Sequence, residues 1–233
     1  MEPKNTISKY LDLCHLQVAA EALLDVTPDL KTALEIGNKH NTKLTPTEAE
    51  DFVARFDVVA HKPNTNTGFS GTLFKAKDND AQSGLQEGQY FLVFRSTEFV
   101  DDAIRDSEGT NMSIAKNGWA FGQICAMEEW YKGLLDSKDL PATGDLTIVG
   151  YSLGGHLANA FRLLRQEENN PREFPTYSYS SKSQFFAWNF GKSLYTFNCT
   201  EAGAMEICEG RDNLEAANDG SFLRVNATVF RDI

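Results

Sequence analysis

Apolar positions recur at helical spacing between Ile7 and Leu24, with Leu13, Leu16, Ala20, Leu23 and Leu24 on one side, which predicts a first helix. Thr45-Pro46-Thr47-Glu48 has the form of a helix start: a threonine to cap, a proline in the first turn and a glutamate placed to reach back. The period then changes. Phe56–His61, Phe69–Lys77 and Gln89–Ser96 are short runs rich in β-branched and aromatic residues, divided by turn clusters at Pro63–Gly68 and Asp78–Gly88, and are expected as strands. Helical spacing returns with Phe121, Ile124, Cys125, Tyr131, Leu134 and Leu135 and ends near Pro141 and Gly144. Leu146–Gly150 reads as a compact apolar strand, and Leu153–Glu168 as a helix bearing Leu157, Ala160, Phe161 and Leu164. A polar and aromatic stretch, Asn169–Lys192, precedes further expected strands at Ser193–Asn198 and Ser221–Val229.

Strand and helix alternate through the second half, which argues βαβ units and a predominantly parallel sheet flanked by helices. The chain shows neither an internal repeat nor a linker-like stretch, so a single α/β domain over residues 1–233 is expected.

Composition narrows the function. A formal charge of −11 and a pI near 4.8 argue against nucleic acid, whose phosphates need a basic footprint. No apolar run approaches a bilayer span, and Met1–Leu11 lacks the charged-then-apolar form of a cleavable signal. Cytoplasmic residence and export by a signal-independent route both stay open. Cys14, Cys125, Cys199 and Cys208 form no CxxC pair and have no histidine at zinc-ligand spacing, so no metal site is expected. Cys14 and Cys125 fall at apolar helical positions and are expected in the core; Cys199 and Cys208 are candidates to close a short loop in an oxidising compartment. Gly191-Lys192-Ser193 ends like a phosphate loop, but Phe186 stands where the required earlier glycine belongs.

The sharpest chemical signal is Gly150-Tyr151-Ser152-Leu153-Gly154-Gly155 between an expected strand and an expected helix. A GxSxG at such a junction is a nucleophile elbow. The bend is too tight for side chains two positions either side of the serine, so Gly150 and Gly154 clear the space and leave the Ser152 hydroxyl projecting. The helix that follows aims its free amides at developing negative charge, which makes the Leu153 N–H one half of an oxyanion hole. A small-residue turn that merely lets a helix pack on a strand is the bland alternative.

Tyr90-Phe91-Leu92-Val93-Phe94-Arg95-Ser96-Thr97-Glu98 is an apolar strand running into an Arg-Ser-Thr turn. Together with the elbow it resembles the class 3 (fungal-type) lipase family and its bacterial relatives in the α/β-hydrolase superfamily. In that family a strand ends in Arg-Gly-Ser/Thr, and the hydroxyl residue donates to the oxyanion. The matching position is Thr97, with Ser96 where a glycine is usual. Further along, Phe69–Phe74 resembles the strand before that turn, Asp102–Asp106 the acidic segment after it, and Asn117-Gly118-Trp119 the turn before the next helix, with Asn117 where histidine is frequent. Leu194–Asn198 resembles the strand after the elbow helix, and the likeness runs from about Leu11 to the C-terminus. It implies an α/β-hydrolase fold and hydrolysis of lipid carboxylic esters through an acyl-enzyme at Ser152, with no cofactor. It also implies transient contact with a membrane or micelle surface.

Such chemistry needs a base, normally a histidine oriented by a carboxylate, in the chain order Ser, acid, His. Ser221–Val225 followed by Asp232-Ile233 resembles the family's Arg-Val…Asp-Ile/Val pattern and makes Asp232 the first candidate acid, with Asp219 and Asp212 behind it. None of His15, His40, His61 and His156 follows these acids. His156 matches a histidine frequent in bacterial relatives and is expected to pack beside the elbow helix; His15 and His40 are expected at the surface. His61 would reach the site only through an unusual topology. Three explanations follow: a C-terminally incomplete enzyme, completed by a further fragment; a hydrolase using another base; or a catalytically silent hydrolase-fold module that binds lipid or a partner. Residues 174–190, dense in Tyr177, Tyr179, Phe185, Phe186, Trp188 and Phe190, are expected either as core under a long loop or as a lid.

Overall fold

The computed structural model describes residues 3–25, 29–39, 41–96, 121–168, 172, 174–179, 194–199 and 205–209, the last two segments as strand backbone. In chain order the described elements are α1 (Pro3–Glu21), α2 (Leu30–Ile36), α3 (Pro46–Arg55), β1 (Phe56–Lys62), β2 (Gly71–Ala76), β3 (Tyr90–Phe94), α4 (Phe121–Asp136), β4 (Leu146–Tyr151), α5 (Leu153–Glu167), β5 (Thr176–Tyr179), β6 (Leu194–Cys199) and β7 (Met205–Glu209). Helix α3 starts as its sequence dictates: Glu48 N–H donates to Thr45 Oγ1 at 3.3 Å, and the Glu48 carboxylate accepts from Thr45 N–H at 2.8 Å.

The strands form one sheet in the order β1-β2-β3-β4-β5-β6-β7. Pairs β3–β4, β4–β5 and β5–β6 are parallel; β1–β2, β2–β3 and β6–β7 are antiparallel. The expected parallel character thus belongs to the four central strands, and hairpin-type pairs extend the sheet on both sides. Because strand order follows chain order, the crossovers through α4 and α5 place both helices on the same face. There Leu92, Phe94, Leu146 and Ile148 pack with Met127, Tyr131, Leu134, Leu157 and Phe161. On the opposite face Phe91, Val93, Val149 and Tyr177 pack with Leu13, Leu16, Ala20, Leu34 and Phe52 from α1, α2 and α3. Successive residues of β3 therefore feed alternate cores, as strand pleating requires, and each buried Leu or Phe side chain contributes about 1.5–3 kcal/mol. This mixed sheet with helices on both faces is the α/β architecture that the alternation of strands and helices predicts.

Several expectations change. Helix α2 and strand β7 lie in stretches whose pattern predicts nothing, and β5 falls inside the polar and aromatic stretch. Phe174 and Tyr177 are buried, so these two rings are core; residues 180–190 lie outside the described residues, as does Ser221–Val229. Cys14 is partly buried against the core, but Cys125 is exposed, because its position on α4 turns away from the sheet. In the β6–β7 ladder Cys208 faces Thr196 and Cys199 faces Met205. The two cysteines stand three positions apart, about 10 Å at strand rise, too far for a disulfide.

Candidate active site

Strand β4 ends at Tyr151 and α5 begins at Leu153, so Ser152 alone makes the turn. It adopts φ = +52°, a left-handed conformation that a serine rarely takes without a compelling neighbourhood. The neighbourhood is visible on both sides. A Cβ on Gly150 would overlap the Gly154 carbonyl, and a Cβ on Gly154 would overlap the carbonyl of Phe94. Strand, bend and helix are pressed together at backbone contact, which only glycine permits at these two positions.

The bend caps its own helix. The Ser152 carbonyl accepts the His156 N–H at 3.1 Å, so the amides of Leu153, Gly154 and Gly155 precede the first full helical bond. No acidic side chain lies in the first turn of α5 to neutralise that end. From the neighbouring strand, Ser178 Oγ donates to the Gly155 carbonyl at 3.1 Å and ties the helix start to β5. Ser178 is fully buried and opposes Gly150 in the ladder. Periodicity gave no sign of it, since β5 reads as polar.

The turn after β3 lies against the elbow, as the Phe94 and Arg95 carbonyls beside Gly154 show. Thr97 lies outside the described residues, as do Asp212, Asp219, Asp232, His40 and the segments 102–106 and 117–119. Ser96 is described, and its backbone is not among the positive-φ positions, so no glycine is needed there. Its N–H donates to Glu21 Oε1 at 2.9 Å and its hydroxyl to Glu21 Oε2 at 2.8 Å. Gln17 Nε2 donates to the same Oε1 at 2.6 Å and to the Phe94 carbonyl at 3.2 Å. Burial pushes the Glu21 carboxyl above the usual carboxylate range, against the pull of the Ser96 and Gln17 donors and the Arg95 charge. The sequence reading passed over this group. Its signal was two polar residues, Gln17 and Glu21, continuing the row of Leu13 at successive steps of four along a buried helix face.

The described histidines serve other contacts. His156 sits one turn into α5 with its ring buried, and desolvation pushes its pKa down to about 4. His15 on α1 approaches Glu48 at 3.8 Å and is half-buried, not at the open surface. His61 does reach the elbow's edge of the sheet, because β1 and β3 end on the same side. It lies three strands across from β4, about 14 Å at normal strand spacing. Its Nδ1 meets Thr72 Oγ1 at 2.9 Å, and burial lowers its pKa, with Asp25 opposing and Arg95 reinforcing the shift. Among the described residues no histidine is hydrogen-bonded to the Ser152 hydroxyl. The same residues hold no cluster of His, Cys, Asp and Glu fit for a metal ion.

No family model matches the chain, and no curated protein matches it. Among solved structures it is similar to the triacylglyceride lipase of Rhizomucor miehei, at 13% identity over 86% of this chain and 83% of that one, with a TM-score of 0.45. It is similar to a mutant form of MDLA from Penicillium cyclopium, at 11% identity over 88% and 85%, with a TM-score of 0.42. It is also similar to the Lip2 lipase from Yarrowia lipolytica, at 12% identity over 88% and 85%, with a TM-score of 0.42.

Proposed function

We propose that this chain is a serine carboxylic-ester hydrolase acting on lipid esters through an acyl-enzyme at Ser152. The observation that carries the reading is the strained φ of +52° at Ser152, held between two glycines that the backbone contacts demand. Strain of this kind costs on the order of 1–3 kcal/mol and persists where a side chain has to be presented. In the reaction the Ser152 oxygen bonds to the ester carbonyl carbon while its proton passes to a base. The carbonyl oxygen becomes an oxyanion, held by the Leu153 amide and by Thr97. Collapse releases the alcohol, which takes up the proton, and water then hydrolyses the acyl-enzyme. Asp232, with Asp219 and Asp212 as alternatives, orients a histidine. A further segment or a complementing C-terminal fragment would supply that histidine, and no metal or organic cofactor enters any step.

A fluorophosphonate probe tests this directly. Stoichiometric modification of wild-type protein at Ser152, absent in Ser152→Ala, supports an activated nucleophile; a wild-type chain that stays unlabelled removes the enzyme reading for this chain by itself. Hydrolysis of esters of increasing acyl length then separates lipid from short-chain substrates.

One observation favours a second reading, a non-catalytic lipid- or partner-binding module: the described histidines are engaged away from the serine hydroxyl. Binding to lipid micelles by a chain that resists the probe would support it.

A further inference from the structure

The turn that follows β3 carries a serine where the resembled family has glycine, and the structure shows what that serine touches. Both donors of Ser96, its amide and its hydroxyl, are taken by the two oxygens of the Glu21 carboxylate. Glu21 is 4% exposed and closes α1, which packs across the face of β3 and β4. Gln17, one turn earlier, bridges the same carboxylate to the Phe94 carbonyl, and that carbonyl is the atom against which Gly154 is pressed. Hydrogen bonds therefore run from α1 to Ser96 and to the Phe94 carbonyl, and that carbonyl abuts the elbow by steric contact with Gly154. A carboxylate buried this deeply would be costly without such partners, and charge-assisted bonds are about twice as strong as neutral ones.

We infer that Glu21 is a positioning residue that clamps the turn after β3 through Ser96, fixing the end of that strand against the Ser152 elbow. The clamp uses the hydroxyl that a glycine lacks, so Ser96 and Glu21 form a matched pair in this chain. The amide of Ser96 is spent on Glu21 and is not free to serve as an oxyanion donor. The inference rests on the ester-hydrolase reading for its catalytic consequence, but the clamp itself does not.

Two measurements test it on Glu21→Ala, Glu21→Gln, Ser96→Ala and Ser96→Gly, with unfolding midpoints checking that each variant folds. Hydrogen exchange of the segment ending β3 is expected to be at least about tenfold faster in Glu21→Ala than in wild type, with Glu21→Gln intermediate because it keeps one acceptor. Fluorophosphonate labelling of Ser152 is expected to fall about 10- to 100-fold in Glu21→Ala and less in Glu21→Gln, with kcat for an ester lowered and KM kept. The double variant Glu21→Gln/Ser96→Ala is expected to lose less than the sum of the single changes. Equal exchange in wild type and in folded Glu21 and Ser96 variants overturns the clamp. Faster exchange with unchanged labelling overturns its catalytic consequence. An unlabelled wild type counts against the hydrolase reading instead, and the exchange rates then still decide whether Glu21 holds the turn.

Discussion

The carbonyl of Phe94 occupies the space that a Cβ on Gly154 would need, so the end of β3 and the first turn of α5 meet backbone to backbone. Neither partner is a flexible side chain that can swing aside. Gly154→Ala is therefore expected to cost about 3 kcal/mol or more, at the upper end of overpacking, because the strand or the helix has to move. Urea unfolding checks this; a midpoint close to wild type would mean the two backbones separate easily.

Ser152 stores strain that glycine would not. Ser152→Gly is expected to raise stability by about 1 kcal/mol, since glycine tolerates positive φ at no steric cost, while abolishing fluorophosphonate labelling. Ser152→Ala should lose the label without that gain. A destabilised Ser152→Gly protein would show that the hydroxyl, not the backbone, supports the fold.

His156 is neutral in the folded protein, its pKa lowered to about 4 by burial in α5. The unfolded chain takes up the proton below about 6.5, so it binds more protons than the folded state across that window. The His156 contribution is thus complete above the unfolded pKa and is lost as pH falls toward the folded one, by about 3 kcal/mol in all. His156→Asn is expected to flatten this part of the stability curve. Denaturation near neutral pH and at about pH 4.5 measures the difference, and an unchanged slope in the variant would assign the acid sensitivity to other groups.

Helix α1 is fastened to α3 by a two-point ion pair, Arg55 Nη1 and Nη2 donating to Asp12 Oδ1 and Oδ2 at 2.6 and 2.7 Å. Asp12 is buried, and Arg55 also reaches Asp80 at 3.1 Å. Removing the carboxylate leaves a guanidinium that is only partly solvated, so Asp12→Ala is expected to destabilise by about 3 kcal/mol. Because α1 also carries Glu21, the same variant should speed exchange at the end of β3. A cost below about 0.5 kcal/mol, read by urea unfolding, would place this pair with ordinary surface ion pairs.

Local sequence determined the parts of this protein whose causes are local. The cap at Thr45, the strands from Phe56 to Phe94 and the strand–Ser152–helix junction follow from residues within a few positions of one another. Excluded volume, capping and period act at that range, so these elements were legible before any coordinate. Helix α2, strand β5 and the exposed side of Cys125 were not, because short or polar segments take their conformation from what they pack against. The Glu21–Ser96 contact spans 75 positions, and neither residue marks the other in the sequence. Only the folding of α1 across the end of β3 brings them together. The tertiary structure also decided the histidines: His61 reaches the elbow's edge of the sheet but three strands away, a separation set by sheet order. Steric demands between neighbours are written in the chain, whereas a buried charge and its partners exist only once distant segments have excluded water around them.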